Sequence, residues 1–318
     1  MMTTLSAITW SPRRSGAGRA GWKRAIIGTL CALVALALGG CTALRVAYNT
    51  GPQLAWWWLD GYVDFSSEQT PQVKASIDRW FEWHKQTQLP GYITLLASAQ
   101  AQAEQPLTPA AACQWNTRIT DALMPAVNRA VDHAADIVPG LGDAQLRHLE
   151  QRYAKNIEEM KSDYLQPDLA ERRAAAMKRA LTRAEQIYGR LDEPQRKVIA
   201  EGLASSPFDP QALMEERKRR QRDTLQTLRR LIADRADREQ RVVALRGLVE
   251  RSQHSPDASY RAYQQRVVEH NCAAVARLHN AATPAQRQRA RATLKGYEGD
   301  VRAVLQGPAG DSGVPGTN

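Results

Sequence analysis

DAQLRHLEQRYAKNIEEMKSDY, Asp143 to Tyr164, decides the fold class. Its apolar residues are Leu146, Leu149, Tyr153, Ile157, Met160 and Tyr164, three or four positions apart. That is the period of a helix with one apolar face, not the alternation of a strand. Pro139-Gly140 ahead of it marks a turn, and Pro167 ends it.

The same period extends in both directions. Upstream, a helix is expected over 110–137, with Trp115, Ile119, Leu123, Val127 and Val131 toward the core. Pro125 inside it predicts a kink or a break. Ser66 to about Leu89 reads as another helix carrying Val73, Ile77, Trp80, Phe81 and His84, followed by a short one from Tyr92 to Ala103. Downstream come helices over 168–188 and 192–203, then a single long element from Pro210 to Arg251. Leu225, Leu228, Ile232, Ala236 and Val243 mark its buried side. Helices over 258–278 and 284–305 complete the body. No strand pattern of useful length occurs. The expectation is an all-α, irregular multi-helix bundle with one long helix and largely antiparallel neighbours, since the connections are short.

A helix-start signature returns four times, as Phe65-Ser66-Ser67-Glu68-Gln69, Leu141-Gly142-Asp143-Ala144-Gln145, Leu191-Asp192-Glu193-Pro194-Gln195 and Ala282-Thr283-Pro284-Ala285-Gln286. An apolar residue precedes a capping position, and Gln follows three residues later. This combines a staple position with a capping box, and Gly142 is its weakest cap. The signature resembles the leucine-threonine-any-any-glutamine motif of periplasmic helical chaperones and stress sensors. Its irregular spacing argues against a regular solenoid, and plain helix capping explains it as well.

The N-terminus has a separate logic. Arg13, Arg14, Arg19, Lys23 and Arg24 precede an apolar run from Ala25 to Leu38, which ends at Leu38-Gly39-Gly40-Cys41. A basic region, a short apolar core and small residues make a secretory signal peptide. The run is shorter than the roughly 20 residues of a spanning helix. Leu38 to Cys41 resembles the lipobox of bacterial lipoproteins, where Cys41 takes a diacylglycerol thioether and becomes the first mature residue. A plain membrane anchor and an ordinary signal peptide are the other readings. Thr42, not Asp, follows Cys41. By resemblance to Gram-negative lipoproteins this favours the outer membrane, facing the periplasm. The expected organisation is a signal peptide over 1–40, a helical body over 41–306 and a disordered tail over 307–318.

The leader also explains the charge. The 318-residue chain carries a formal +10, of which the first 40 residues hold five positive charges and no acidic ones. The remaining excess is modest and requires no nucleic acid. The expected partners are membrane lipid, through acylated Cys41, and envelope proteins. Of the four cysteines, Cys113 and Cys272 remain in the body. An oxidising periplasm permits them to pair if their helices are neighbours; two separate buried thiols are the alternative.

Trp56-Trp57-Trp58 cannot all face one way on a helix. At least one points away from the core, either toward a neighbouring helix as a plug or toward a lipid interface, which favours aromatic rings. Asp60, Asp64, Trp83, His84 and Tyr92 form the candidate ligand or partner contact. His84 suits a base, and a hydrolase centred on it is the least favoured function. No framed nucleophile or His-x-x-x-His spacing accompanies it, so no catalytic residue, metal or cofactor is expected. A partly buried ring bonded to Asp60, Asp64 or backbone is the plainer reading. Arg217, Lys218, Arg219, Arg220 and Arg222 could meet anionic headgroups or carboxylates. Alternatively they form a solvated face paired with Glu215, Glu216 and Asp223.

Taken together, the lipobox, Tyr48-Asn49, Trp57 to Tyr62, Asp64 and Gln69, Trp83-His84-Lys85, Leu89-Pro90, Tyr92, Leu141 with Gln145, Gly189, Leu191 and Gln195, Arg217, Tyr260 to Asn271 and Gln286 resemble the proteobacterial lipoproteins of domain-of-unknown-function family 6279. Lys85 stands where that family has Arg, and Gly91 where it often has a basic residue. The resemblance implies location and no defined activity. The resulting expectation is a non-enzymatic, lipid-anchored binding or scaffold protein of the envelope. A periplasmic chaperone or stress modulator is the alternative.

Overall fold

The computed structural model describes Tyr48 and residues 50–306. The leader, Cys41 and the tail over 307–318 lie outside the described residues.

The described chain is all-α, with eleven α-helices and one short 3-10 turn at Val138–Gly140. In chain order these are α1 (Gly51–Val63), α2 (Thr70–Thr87), α3 (Leu89–Ala103), α4 (Pro109–Ile137), α5 (Asp143–Tyr164), α6 (Leu169–Tyr188), α7 (Glu193–Ala204), α8 (Pro210–Ala233), α9 (Arg238–Gln253), α10 (Ala258–Asn280) and α11 (Pro284–Gln306). No helix among the described residues is long and apolar enough to cross a membrane.

Neighbours run antiparallel, as their cross-links show. Along α4 and α10, Leu107, just before α4, bonds to Asn280 at the end of α10, and Met124 of α4 meets Gln253 at the end of α9, just before α10 begins. Between them Cys113 and Cys272 form a disulfide, with Cα atoms 5.3 Å apart. In α3 and α11, Gln100 meets Glu298 and Glu104 meets Arg291. In α5 and α8, Tyr153 meets Gln221 and Glu150 meets Arg229.

The main core joins Val131, Ala135 and Val138 to Leu141, Leu146 and Leu149, and these to Leu225, Leu228, Leu231 and Leu245. A satellite cluster of Leu107, Ala112, Cys272 and Ala276 surrounds the disulfide.

Three expectations are corrected. The element over 210–251 is two helices, and the longest helix among the described residues is α4, with 29 residues. The break falls at Asp234–Asp237, where Arg235 adopts φ 47° and the buried Ala236 donates its N–H to the Leu231 carbonyl. Asp237 then restarts the chain with a complete capping box to Gln240. Ala236-Asp237-Arg238-Glu239-Gln240 is a fifth copy of the helix-start signature, so the signal was present in the sequence. With the helix reset, Val243 points outward at 66 % exposure.

Second, of the kink or break expected at Pro125, the break does not occur, since α4 runs through it. Third, Ile119, Leu123 and Val127 are exposed and not in the core. In the same helix Ala112, Ala126, Val131 and Ala135 are the buried residues. The small Ala side chains let α10, α2 and α9 approach closely, which leaves the larger apolar stripe uncovered.

Candidate functional site

The recurring glutamines do more than cap their own helices. Gln69 accepts from the Ser66 N–H at 2.9 Å, and Gln145 accepts from the Gly142 N–H at 3.0 Å. Their amide groups then cross. Gln145 Nε2 donates to Gln69 Oε1 at 2.7 Å and to the Asp64 carbonyl at 3.1 Å, while Gln69 Nε2 donates to the Gly140 carbonyl. The second pair repeats this. Gln195 and Gln286 accept from the Asp192 and Thr283 N–H groups. Gln195 Nε2 donates to Gln286 Oε1 at 2.6 Å and to the Ala281 carbonyl at 3.0 Å. Gln286 Nε2 reaches the Arg190 carbonyl at 3.0 Å. Each clasp therefore ties two helix-to-helix turns, and each glutamine satisfies backbone groups of both. Gln195 is only 2 % exposed, so its donors and acceptor depend on these partners. Gly189 opens the second clasp at φ 74°, a backbone conformation glycine tolerates.

His84 lies between α2 and α3 in an aromatic cluster. Its ring stacks on Trp80, with centroids 4.8 Å apart. Nδ1 lies 3.2 Å from the Tyr48 hydroxyl, and Nε2 lies 3.2 Å from the Tyr92 hydroxyl. Tyr48 also donates to the Phe81 carbonyl at 3.0 Å. One hydroxyl proton spent on Phe81 leaves the Tyr48 oxygen to accept from Nδ1–H, and Nε2 to accept from Tyr92. Burial pushes His84 below its ordinary pKa and raises Tyr92. Burial, with Glu82 and Tyr92 adding to it, pushes Tyr48 up to about 12. The ring is a neutral hydrogen-bond bridge between helices.

The expected bonds from His84 to Asp60, Asp64 or backbone are thus replaced by two phenols. Asp60 accepts from the Phe65 N–H at 3.0 Å, and Asp64 ends α1 at φ 58°. Trp83 lies under the Arg129 guanidinium, 5.7 Å from the ring centroid. The candidate contact set therefore divides between the α1 end and the α2–α3 cluster. Tyr48 was the member missed by sequence reasoning. His279 is bridged in the same way, 2.8 Å from both the Tyr188 hydroxyl and the Gln105 carbonyl.

The basic run on α8 is largely engaged in ion pairs. Arg219 holds the buried Glu216 through two 2.8 Å bonds, and Arg220 adds a third. Ser255 donates to the same carboxylate at 3.1 Å. Burial alone raises the Glu216 pKa, but the bonds from Arg219, Arg220 and Ser255 outweigh it and hold it below the usual range. Arg251 grips Asp223 with two bonds of 2.8 and 2.9 Å and lowers that carboxyl. Lys218 pairs with Glu215. Arg217 is half-buried, and Arg222 is exposed at the edge of a cleft of about 450 Å³. Glu215, Glu216, Arg219, Asp257 and Tyr260 also line this cleft, which carries both signs of charge. Among the described residues, no group of three or more His, Cys, Asp or Glu side chains could hold a metal ion.

Two apolar surfaces remain. One is the α4 stripe of Ile119, Leu123 and Val127. The other is on α1, where the tryptophan triplet divides. Trp56 is 8 % exposed and packs with Val73 and Ile77, while Trp57 and Trp58 are 62 % and 56 % exposed.

No curated protein and no solved structure matches the chain at a significant level. A family model does, over residues 61–261, from within α1 to the first turn of α10. That span is narrower than the set of residues carrying the resemblance, from the lipobox to Gln286, but it contains the first clasp and the Glu216 network. The chain belongs to the family of unknown function DUF6279.

Proposed function

We propose that this protein is lipid-anchored in the cell envelope, facing the periplasm from the outer membrane, and that its helical body works as a binding or scaffold surface. The observation that carries the reading is Leu38-Gly39-Gly40-Cys41 at the end of a basic and then apolar leader. The Cys113–Cys272 disulfide supports it, because such bonds persist in oxidising compartments. The binding part rests on the α4 stripe. Ile119, Leu123 and Val127 recur every four residues on the longest helix and face solvent. Uncovered apolar surface of this kind marks interaction sites. His84, held between two phenols, has a packing role that fits a body without proton-transfer chemistry.

A helical chaperone is the second reading. The crossed glutamines and the exposed stripe favour it, since they join a motif resembling that of the periplasmic chaperones to a surface able to hold apolar segments. One experiment tests both. The mass of the mature chain from cells is measured, and a photo-crosslinker at Leu123 is activated in intact cells. The expected result is a Cys41 terminus carrying acyl chains, with crosslinks to envelope proteins. A defined folded partner supports a scaffold, and many incompletely folded chains support a chaperone. An unmodified Cys41 or a retained leader overturns the anchor.

A further inference from the structure

Helix α1 carries an apolar face that the fold does not cover. Leu54, Trp57 and Trp58 occupy positions i, i+3 and i+4 of one helical face. Gly61 continues that face at i+7, where a Cβ would meet nothing within 4 Å. The opposite side of the helix is occupied: Trp56 packs with Ala55, Leu59, Val73 and Ile77. The outward tryptophans are therefore not needed to close the core.

Chain length limits what this face can meet. Nine residues separate Cys41 from Gly51. At roughly 3.5 Å per step the ten steps from Cys41 to Gly51 reach at most about 35 Å, so an acylated Cys41 keeps α1 beside the bilayer. The chemistry agrees. Tryptophan combines a large apolar ring with one N–H donor and is favoured where hydrocarbon meets headgroups. One guanidinium borders the face: Tyr62 packs 4.8 Å from Trp58 and lies beneath Arg152 at 5.2 Å, while Asp60, the charged residue of α1, is occupied by the Phe65 N–H. Arg152 Nε is buried without a hydrogen-bond partner. An apolar face bordered by a guanidinium suits a phosphate-bearing lipid surface.

We infer that the Leu54–Trp57–Trp58 face of α1 seats in the interfacial layer of the membrane that holds Cys41, fixing the orientation of the body. This rests on the lipid-anchor reading above. The test uses the full chain, processed and acylated in cells, in vesicles of phosphatidylethanolamine and phosphatidylglycerol with and without brominated acyl chains. Flotation reads the anchor, and quenching of tryptophan emission reads the face. Wild type is expected to float and to lose up to about a third of its emission, because two of the six tryptophans after Cys41 lie on this face. Trp57→Ser/Trp58→Ser is expected to float equally and to lose almost no emission. An unchanged helical circular dichroism spectrum shows that this variant is folded. Equal quenching of both floating proteins overturns the face and leaves the anchor standing. A wild-type chain that fails to float overturns both. A self-associated wild type that the double substitution makes monomeric assigns the face to a second copy and overturns the membrane contact.

Discussion

At the scale of single residues, the glutamines carry most of the structural information. A capping glutamine on an exposed helix contributes little, but Gln195 is buried and bonds to Asp192, Ala281 and Gln286 at once. Replacing it with Ala leaves the Ala281 carbonyl and the Gln286 amide without this partner in a site that water does not reach. Gln195→Ala is expected to cost about 2–3 kcal/mol in urea unfolding. Gln286→Ala should cost less, and the double variant should fall short of their sum by 0.5 kcal/mol or more, on the order of neighbours that share bonds. Strict additivity would show that the two amides act only as separate caps. His84 illustrates the limit of reading a residue type. A histidine among tryptophans suggests a reactive centre, yet here both ring nitrogens serve packing.

At the scale of elements, α8 and α9 are held together by charge as well as by apolar contact. Glu216 on α8 gathers Arg219, Arg220 and Ser255, and Asp223 on α8 takes Arg251 from α9. Both carboxyls are held below their ordinary values of 4.5 and 3.8. A depressed folded-state pKa contributes stability that is complete above the unfolded value. That stability is lost as pH falls through the folded value. Acid titration of stability should therefore show a loss that begins near the ordinary carboxylate range and deepens below it. Glu216→Gln should cost about 2–3 kcal/mol at neutral pH, below the full value for a buried pair because both arginines are partly solvated. It should also flatten the acid loss, and an unchanged acid profile would show that Glu216 is not its source. The basic run alone could not distinguish an anion-binding patch from a paired face. Acidic residues within one turn were visible in sequence, but Ser255 and Arg251 arrive from elsewhere in the fold.

At the scale of the whole molecule, the Cys113–Cys272 bond joins positions 159 residues apart. It clamps the start of α4 to the C-terminal half of α10, beside the small cluster of Leu107, Ala112 and Ala276. Closing so long a loop restricts the unfolded chain strongly, and Cys113→Ala/Cys272→Ala is expected to cost roughly 2–5 kcal/mol. Equilibrium denaturation of oxidised protein and double variant measures it. An indistinguishable midpoint would show that the helix pair stands without the clamp. The surface divides in a way local pattern does not reveal. The apolar stripe of α4 and the tryptophans of α1 face outward, while Ala126 and Ala135 are buried.

The sequence by itself determined the helical class and most helix ends. These follow from periodicity, capping chemistry and proline or glycine placement, which act over a few neighbouring residues. Even the overlooked break before Asp237 was written locally, in a fifth capping signature. The tertiary structure alone decided which apolar stripes are covered, which phenols hold His84 and which glutamines meet across 76 and 91 positions. A helical period defines an apolar face but not the neighbour that buries it. That neighbour is set by packing between distant segments, as on α4, where Ala112, Ala126 and Ala135 are covered and Ile119, Leu123 and Val127 stay in solvent.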